Sequence, residues 1–275
     1  MTQPTLLIRQ QREAGLLVSV APPQGGMTRT HFQAYRLKPG ETLTGDEAGR
    51  EAALVVLGGK CTVAAGSLEF RGVGTRRDVW EKVPPAVLLL PPATPFSVRA
   101  ETDLHLAVAS APVSRGGVRA VRLVGPEEMV TEHRGEGQTY RYIQHLLPPA
   151  STLAESLILV EVYTPGGNWS SFPPHKHDTE DPPHESFLEE IYYYQIRPSG
   201  GFAFQRVYTD DRALDVACAP GDGDLVLVPR GYHPVAATPG HDAYYLNVMA
   251  GPTRNWNFRP DPVYAHLMNW QKPNV

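Results

Sequence analysis

Pro-Pro-His-Lys-His-Asp (173–178), Leu-Glu-Glu-Ile-Tyr-Tyr-Tyr (188–194) and Gly-Asp-Leu-Val-Leu-Val-Pro-Arg-Gly-Tyr-His (223–233) all fall within one stretch, 165–233, of a 275-residue chain. Three imidazoles and a carboxylate are spread over short runs that read as β-strands. Residues two apart in a strand share a face, so His175 and His177 can reach one ion. The second run opens on carboxylates, which are costly to bury unpaired. Alternation places Glu190, Tyr192, Tyr194 and Ile196 on one face, and Glu189, Ile191, Tyr193 and Gln195 on the other. If the Glu190 face lines an interior, two phenols sit beside the ion. In the third run, Gly223 and Pro229 make tight turns on either side of a buried strand and so fix the aim of His233. The pattern is that of a metal site inside a small β-barrel.

Each feature also has a plainer reading. With ten histidines in 275 residues, a His-x-His pair is weak evidence by itself. The acidic run 178–181 beside it suits an exposed loop. Both glutamates can be solvated at a strand start, and a histidine before Pro234 suits a surface turn. The features gain force from occurring in sequence. Three neutral imidazoles and a carboxylate suit one divalent ion such as Zn²⁺, Mn²⁺, Fe²⁺ or Ni²⁺. Two adjacent positions on a six-coordinate ion then remain for a sugar's carbonyl and neighbouring hydroxyl, a Lewis-acid arrangement. Asp178 is a candidate to orient one of the rings.

The surrounding chain suits this scaffold. Hydrophobic content of 41% supports a core, while 25 Gly and 27 Pro imply many turns. Val, Leu, Tyr and Thr recur in short runs between those turns, which predicts an all-β chain. A net charge of −4 without a basic stripe argues against a nucleic-acid partner. The longest apolar run, 86–90, is too short to span a bilayer. The N-terminus has no apolar signal core, and two distant cysteines, Cys61 and Cys218, fit a reducing cytoplasm.

One pattern is written twice. Strands are expected at 30–37, 52–57, 61–64 as the hairpin partner of 52–57, 87–90 and 104–109. They are expected again at 157–164, 191–196, 202–208, 225–228 and 244–249. Leu-Leu-Leu-Pro (88–91) leading to Ala-Ser-Ala-Pro (109–112) parallels Leu-Val-Leu-Val-Pro (225–229) leading to Met-Ala-Gly-Pro (249–252). Such a matched order predicts two copies of one β unit, residues 1–125 and 126–275, with a linker over roughly 113–140. Aligning Pro165 with Pro39 puts Gly49 opposite His175, Glu51 opposite His177 and Pro95 opposite His233. The first copy is therefore read as a metal-free barrel and the second as the catalytic one. Arg206, Arg230 and Arg254 are candidates for bidentate pairing with a substrate carboxylate. His184-Glu185 suits a lid or plain surface. The 255–262 tail should pack Trp256 and Phe258 on a barrel or on a second copy of the chain in a homo-oligomer.

These residues, in this order, resemble the cupin superfamily, whose motifs run Gly…His-x-His…Glu and Gly-x5-Pro-x-Gly…His. The chain departs by a long insert between His177 and Glu190 and by one residue fewer before His233. The duplicated layout resembles a bicupin, with two tandem double-stranded β-helix (jelly-roll) barrels. A denser likeness runs through Phe-Pro-Pro-His-Lys-His-Asp (172–178), Leu-Glu-Glu-Ile-Tyr-Tyr (188–193), Gly-Phe-Ala-Phe-Gln-Arg-Val-Tyr-Thr (201–209), Val-Pro-Arg-Gly-Tyr-His-Pro-Val (228–235) and Tyr-Tyr-Leu-Asn-Val-Met-Ala-Gly-Pro (244–252). These stretches look like the 5-deoxy-glucuronate isomerase family of myo-inositol catabolism, related to 5-keto-4-deoxyuronate isomerase. The likeness is dense over roughly 157–260 and diffuse before it. It selects Glu190 over Glu189 and implies His175, His177, Glu190 and His233 as the ligands of one divalent metal ion (Zn, Mn or Fe). It further implies an aldose–ketose isomerisation of a sugar acid, 5-deoxy-D-glucuronate, to 2-deoxy-5-keto-D-gluconate. The general base is left open among Glu190, Tyr192, Tyr194 and a bound water. The same donor set also suits an Fe²⁺ oxygenase, and a non-catalytic sugar-binding cupin is the second rival.

Overall fold

A computed structural model describes residues 3–11, 15–114 and 117–271. It is built almost wholly of strands, joined by short 3-10 turns. Two jelly-roll units face one another. The first has a six-stranded sheet, in the order Arg122–Val124, Ala86–Leu90, Arg50–Gly58, Leu104–Pro112, His31–Leu37, Gly15–Val20. The second has a seven-stranded sheet, in the order Leu7–Ile8, Leu225–Val228, Glu189–Arg197, Asp242–Ala250, Ile158–Thr164, Arg141–Leu147, Val130–Arg134. A four-stranded sheet accompanies each. The central strands of the large sheets are apolar on both faces, which is why they read as continuous runs rather than as alternation.

The duplication expected from the sequence is present, and one strand of the first unit crosses to the second. Leu7–Ile8 pairs with Leu225–Val228 of the second unit, whereas Arg122–Val124 pairs with Ala86–Leu90 of the first. Two glutamates fasten the halves in a reciprocal manner. Glu51 accepts the backbone N–H groups of Glu155, Ser156 and Leu157. Glu189 accepts those of Thr28, Arg29 and Thr30 together with the hydroxyls of Thr28 and Thr30. A third tie is the Arg76–Glu161 pair, whose side chains are fully buried at 2.5 Å; Tyr244 also donates to Glu161.

Strand register corrects three expectations. Ala52 pairs with Leu90, the residue before Pro91, and Glu190 pairs with Val228, the residue before Pro229. Glu51 is thus the counterpart of Glu189, not of His177, and Ala52 stands where the second unit has Glu190. The single-anchor alignment failed because the 171–188 insert carrying both histidines has no equivalent in the first unit. Cys61–Ala65 pairs with Leu68–Val73 and Phe96–Ala100, not with the Arg50–Gly58 strand. Gly58 and Gly59 let the chain leave that sheet instead of folding back along it. Finally, the expected linker contains the strand Val130–Arg134, which hydrogen-bonds to Arg141–Leu147 and closes the edge of the large sheet.

Candidate metal centre

Four different segments bring the site together. His175 lies in a short ladder with Arg259–Pro260, so the C-terminal tail folds back to hold it. His177 and Leu188 exchange bonds: Leu188 N–H donates to the His177 carbonyl, while the His177 ring meets the Leu188 carbonyl at 2.7 Å. Glu190 is fixed between Met249 and Val228 in the middle of the seven-stranded sheet. His233 follows the turn that begins at Pro229. That turn needs Gly231, whose φ is +93° and whose added Cβ would sit 2.4 Å from the Tyr208 carbonyl oxygen.

All three imidazoles are oriented by backbone. The Nδ1 atoms of His175, His177 and His233 meet the carbonyls of Pro173, Leu188 and Gly231 at 3.2, 2.7 and 2.8 Å. A carbonyl accepts only, so each Nδ1 must carry the proton and each Nε2 keeps a lone pair. The ligand atoms of the three rings lie within 4.8 Å of one another. His177 Nε2 and His233 Nε2 each stand 3.2 Å from Glu190 Oε2. Ligands around one ion at ~2.1 Å lie roughly 3 Å apart, so these separations fit a shared cation. His233 Nε2 is also buried with no hydrogen-bond donor among the described residues. The lone pairs and the carboxylate facing one another lack a positive charge, which a divalent ion would supply. The triad is able to hold a metal.

Burial disfavours every charge here, and the neighbours decide the result. His175 is held well below the usual imidazole range by burial and then by His233 and His177. Burial also opposes ionisation of Glu190, yet the facing imidazoles of His233 and His177 outweigh it, so that its carboxyl is held at about 2. Burial, and next Glu190, push the Tyr192 phenol well above its ordinary value. Tyr192 therefore stays protonated, with its hydroxyl 2.9 Å from Ser171 Oγ.

The site opens into a cavity whose floor is the inner face of the seven-stranded sheet. Its lining includes His175, Glu190, Tyr192, Tyr245, Asn247 and Phe258. The face assigned to Glu190 and Tyr192 from alternation is the one that lines it. Tyr194 lies on that face one step further along, where its hydroxyl donates to Gln205 Oε1 at 2.8 Å; it is not part of the lining. Neither Arg206 nor Arg230 lines the cavity. Arg206 is half exposed and forms a two-pronged pair with Asp215 at 2.8 and 2.7 Å. Arg254 donates to the carbonyls of Leu147, Pro148, Pro149, Ser151 and Leu157, which makes it a backbone staple. Asp178 touches no imidazole; it accepts from Lys176 and from Gly231 N–H. Glu185 is buried and accepts from the backbone of Asp178 and Thr179, so the 181–187 loop is tied down at that point.

Among the cavity residues that the sequence did not single out are two arginines, Arg134 and Arg141. Arg141 opens an apolar strand just as Glu190 does, and the reasoning that singled out the carboxylate applies equally to it. Burial, and next the charge of Arg134, push its guanidinium down to about 10.

The chain matches the sequence model of the KduI/IolB family over residues 6–267. A protein of Geobacillus thermodenitrificans named 5-deoxy-glucuronate isomerase is 48% identical over 256 residues, 93% of this chain and 92% of that one. The protein of the same name from Bacillus subtilis strain 168 is 40% identical over 92% of this chain and 93% of its own. Among solved structures, an IolB-like protein of Salmonella typhimurium LT2 superposes with a TM-score of 0.92 at 44% identity, covering 96% of this chain and 99% of that one. An oxalate decarboxylase of Lactobacillus farciminis matches with a TM-score of 0.66 at 11% identity, covering 94% of this chain and 89% of that one; this is a likeness of fold.

Proposed function

The chain belongs to the KduI/IolB family and isomerises 5-deoxy-glucuronate, and we propose that it does so at the His175–His177–Glu190–His233 centre. The observation that carries this placement is the convergence of three backbone-oriented imidazoles on Glu190 at the wall of a cavity. These four residues hold one divalent ion, Zn, Mn or Fe. When bound, it supplies Lewis-acid polarisation of the sugar's carbonyl and adjacent hydroxyl. Glu190, ionised among the imidazoles, is the nearest proton acceptor. Tyr192, kept protonated by burial, is a donor rather than a base, and directs its hydroxyl at a substrate oxygen as charge develops there. A proton leaves the carbon bearing the hydroxyl and returns to the former aldehyde carbon by way of an enediolate, giving 2-deoxy-5-keto-gluconate. Residues 126–275 carry this chemistry and residues 1–125 act as its metal-free support.

The test combines elemental analysis of the purified protein with an aldose-to-ketose assay on 5-deoxy-glucuronate. One tightly held divalent ion, and loss of both metal and turnover in His233→Ala but not in His184→Ala, are expected. Equal retention of metal by both variants at matched folded fraction would refute the placement.

A further inference from the structure

Arg134 and Arg141 face each other directly across the hairpin formed by Val130–Arg134 and Arg141–Leu147. Like charges in that position repel, so two arginines there are a cost that a bare hairpin gains nothing from. Both side chains line the same cavity as His175 and Glu190. The acidic complement is insufficient. Glu132 pairs with Arg134 and is shared with His145 at 3.3 Å, which leaves Arg141 with no carboxylate partner among the described residues. Arg141 is nevertheless only 3% exposed, and its one side-chain hydrogen bond among the described residues is to the Thr139 carbonyl, at 2.9 Å. Two further buried donors in the cavity wall, Arg134 Nε and Trp256 Nε1, have no acceptor among the described residues.

A buried guanidinium without an anion, beside two donors without acceptors, is an acceptor-shaped deficit. Resting on the isomerase reading above, we infer that Arg141, assisted by Arg134 Nε and Trp256 Nε1, binds the carboxylate of the sugar acid while the reacting end lies at the histidine centre. The placement suits an extended substrate. Glu190 and Arg141 share one face of the sheet, three strands apart and offset along the strands, with Arg141 level with Ile196, and both side chains reach into the same cavity. Arg141 on this assignment is a specificity-determining residue that acts at the end of the sugar remote from the chemistry, so its binding energy serves to orient the reacting carbons. The competing account is structural: Arg141 would merely fasten the 135–140 turn through Thr139.

The two accounts separate in the full-length, metal-loaded enzyme. Wild type and Arg141→Met are compared on 5-deoxy-glucuronate and on its neutral amide, alongside metal content and melting temperature. Calorimetry with D-gluconate, which has no aldehyde to isomerise, reads binding without turnover. Carboxylate recognition predicts that Arg141→Met loses about a hundredfold in kcat/KM on the acid, changes little on the amide, and no longer binds gluconate. Unchanged preference for the acid, or equal losses on acid and amide, would overturn the assignment. If Arg141→Met does not fold, Arg141→Lys decides. It keeps the charge but loses the two-pronged geometry, so a partial loss confined to the acid supports the inference and wild-type values on both substrates reject it. A wild-type enzyme inert on 5-deoxy-glucuronate would defeat the functional reading instead, and the gluconate measurement would still judge Arg141.

Discussion

Glu189 and Glu190 are neighbours in sequence, yet the pleat sends them to opposite faces and to unrelated tasks. Glu190 meets His177 and His233 at 3.2 Å in the cavity wall, while Glu189 receives five donors from residues 28–30 of the other unit, at 2.6 to 2.9 Å. Replacing one carboxylate oxygen by an NH2 group therefore has different consequences at the two positions. In Glu189→Gln the new N–H groups must face existing donors, and a buried donor left unsatisfied beside a lost charge-assisted bond costs about 3 kcal/mol. The expected outcome is a clear fall in denaturation midpoint with metal content and kcat retained at low temperature. In Glu190→Gln the fold should change by about 1 kcal/mol or less, while metal occupancy and kcat/KM collapse. Denaturant titration together with elemental analysis of both variants checks this, and a reversed pattern would mean that the faces have been exchanged. The sequence alone could establish that the two side chains point apart. It could not establish which face was interior, because both are buried and both carry aromatic or apolar neighbours.

At the scale of elements, the shortest strands matter most to the site. Leu7–Ile8 is only two residues, but it edges the strand Leu225–Val228, from which the turn to His233 departs. Leu6, 1% exposed, is its anchor, and its carbonyl accepts the Leu227 N–H at 2.9 Å. Leu6→Ala should cost about 3 kcal/mol through the cavity it leaves. It should also raise amide exchange along 225–228 selectively and weaken metal retention, although no atom near the metal centre has changed. Exchange mass spectrometry on the holoenzyme tests this; uniform exchange across the molecule would show that the strand only adds bulk stability. The long buried strands were legible because apolar runs bounded by Pro and Gly have a physical cause: tight turns at each end and two covered faces. Their partners were not legible. Pairing is decided by where the chain leaves a sheet, and a two-residue crossing strand carries no periodicity at all. The same limit hid the carboxylate-facing arginines. The polar segment 131–138 looked like a linker since one edge of its strand is solvated, and only the fold reveals that its partner strand turns Arg141 inward.

Over the whole molecule, the first unit is fastened to the second by three buried polar devices and the crossing strand Leu7–Ile8, so that the halves should behave as one cooperative unit. Arg76 donates to the Leu57 carbonyl in its own half and to Glu161 in the other, and Tyr163 adds its hydroxyl at 3.1 Å. Removing one member of a buried pair leaves the other charged and unpaired, which costs about 4 kcal/mol. Arg76→Met should therefore lower the melting temperature substantially, and Arg76→Met combined with Glu161→Leu should restore much of the loss, because the stranded carboxylate is then gone. Metal release provides the more informative signal. If the two halves unfold together, near-ultraviolet ellipticity, which reports on aromatic residues in both, must fall at the same temperature at which a fluorescent chelator captures the ion. In Arg76→Met both curves must shift down by the same amount, although Arg76 touches no residue of the metal centre. Independent units would behave otherwise. The first half would melt early in the variant while the ion stayed bound to an intact second half, and two separate transitions would appear. Coincident curves in wild type and variant support the single unit. A persistent holo second half after the first has melted would show that the crossing strand and the reciprocal glutamates decorate the contact without coupling it, and that the first half is dispensable to the chemistry.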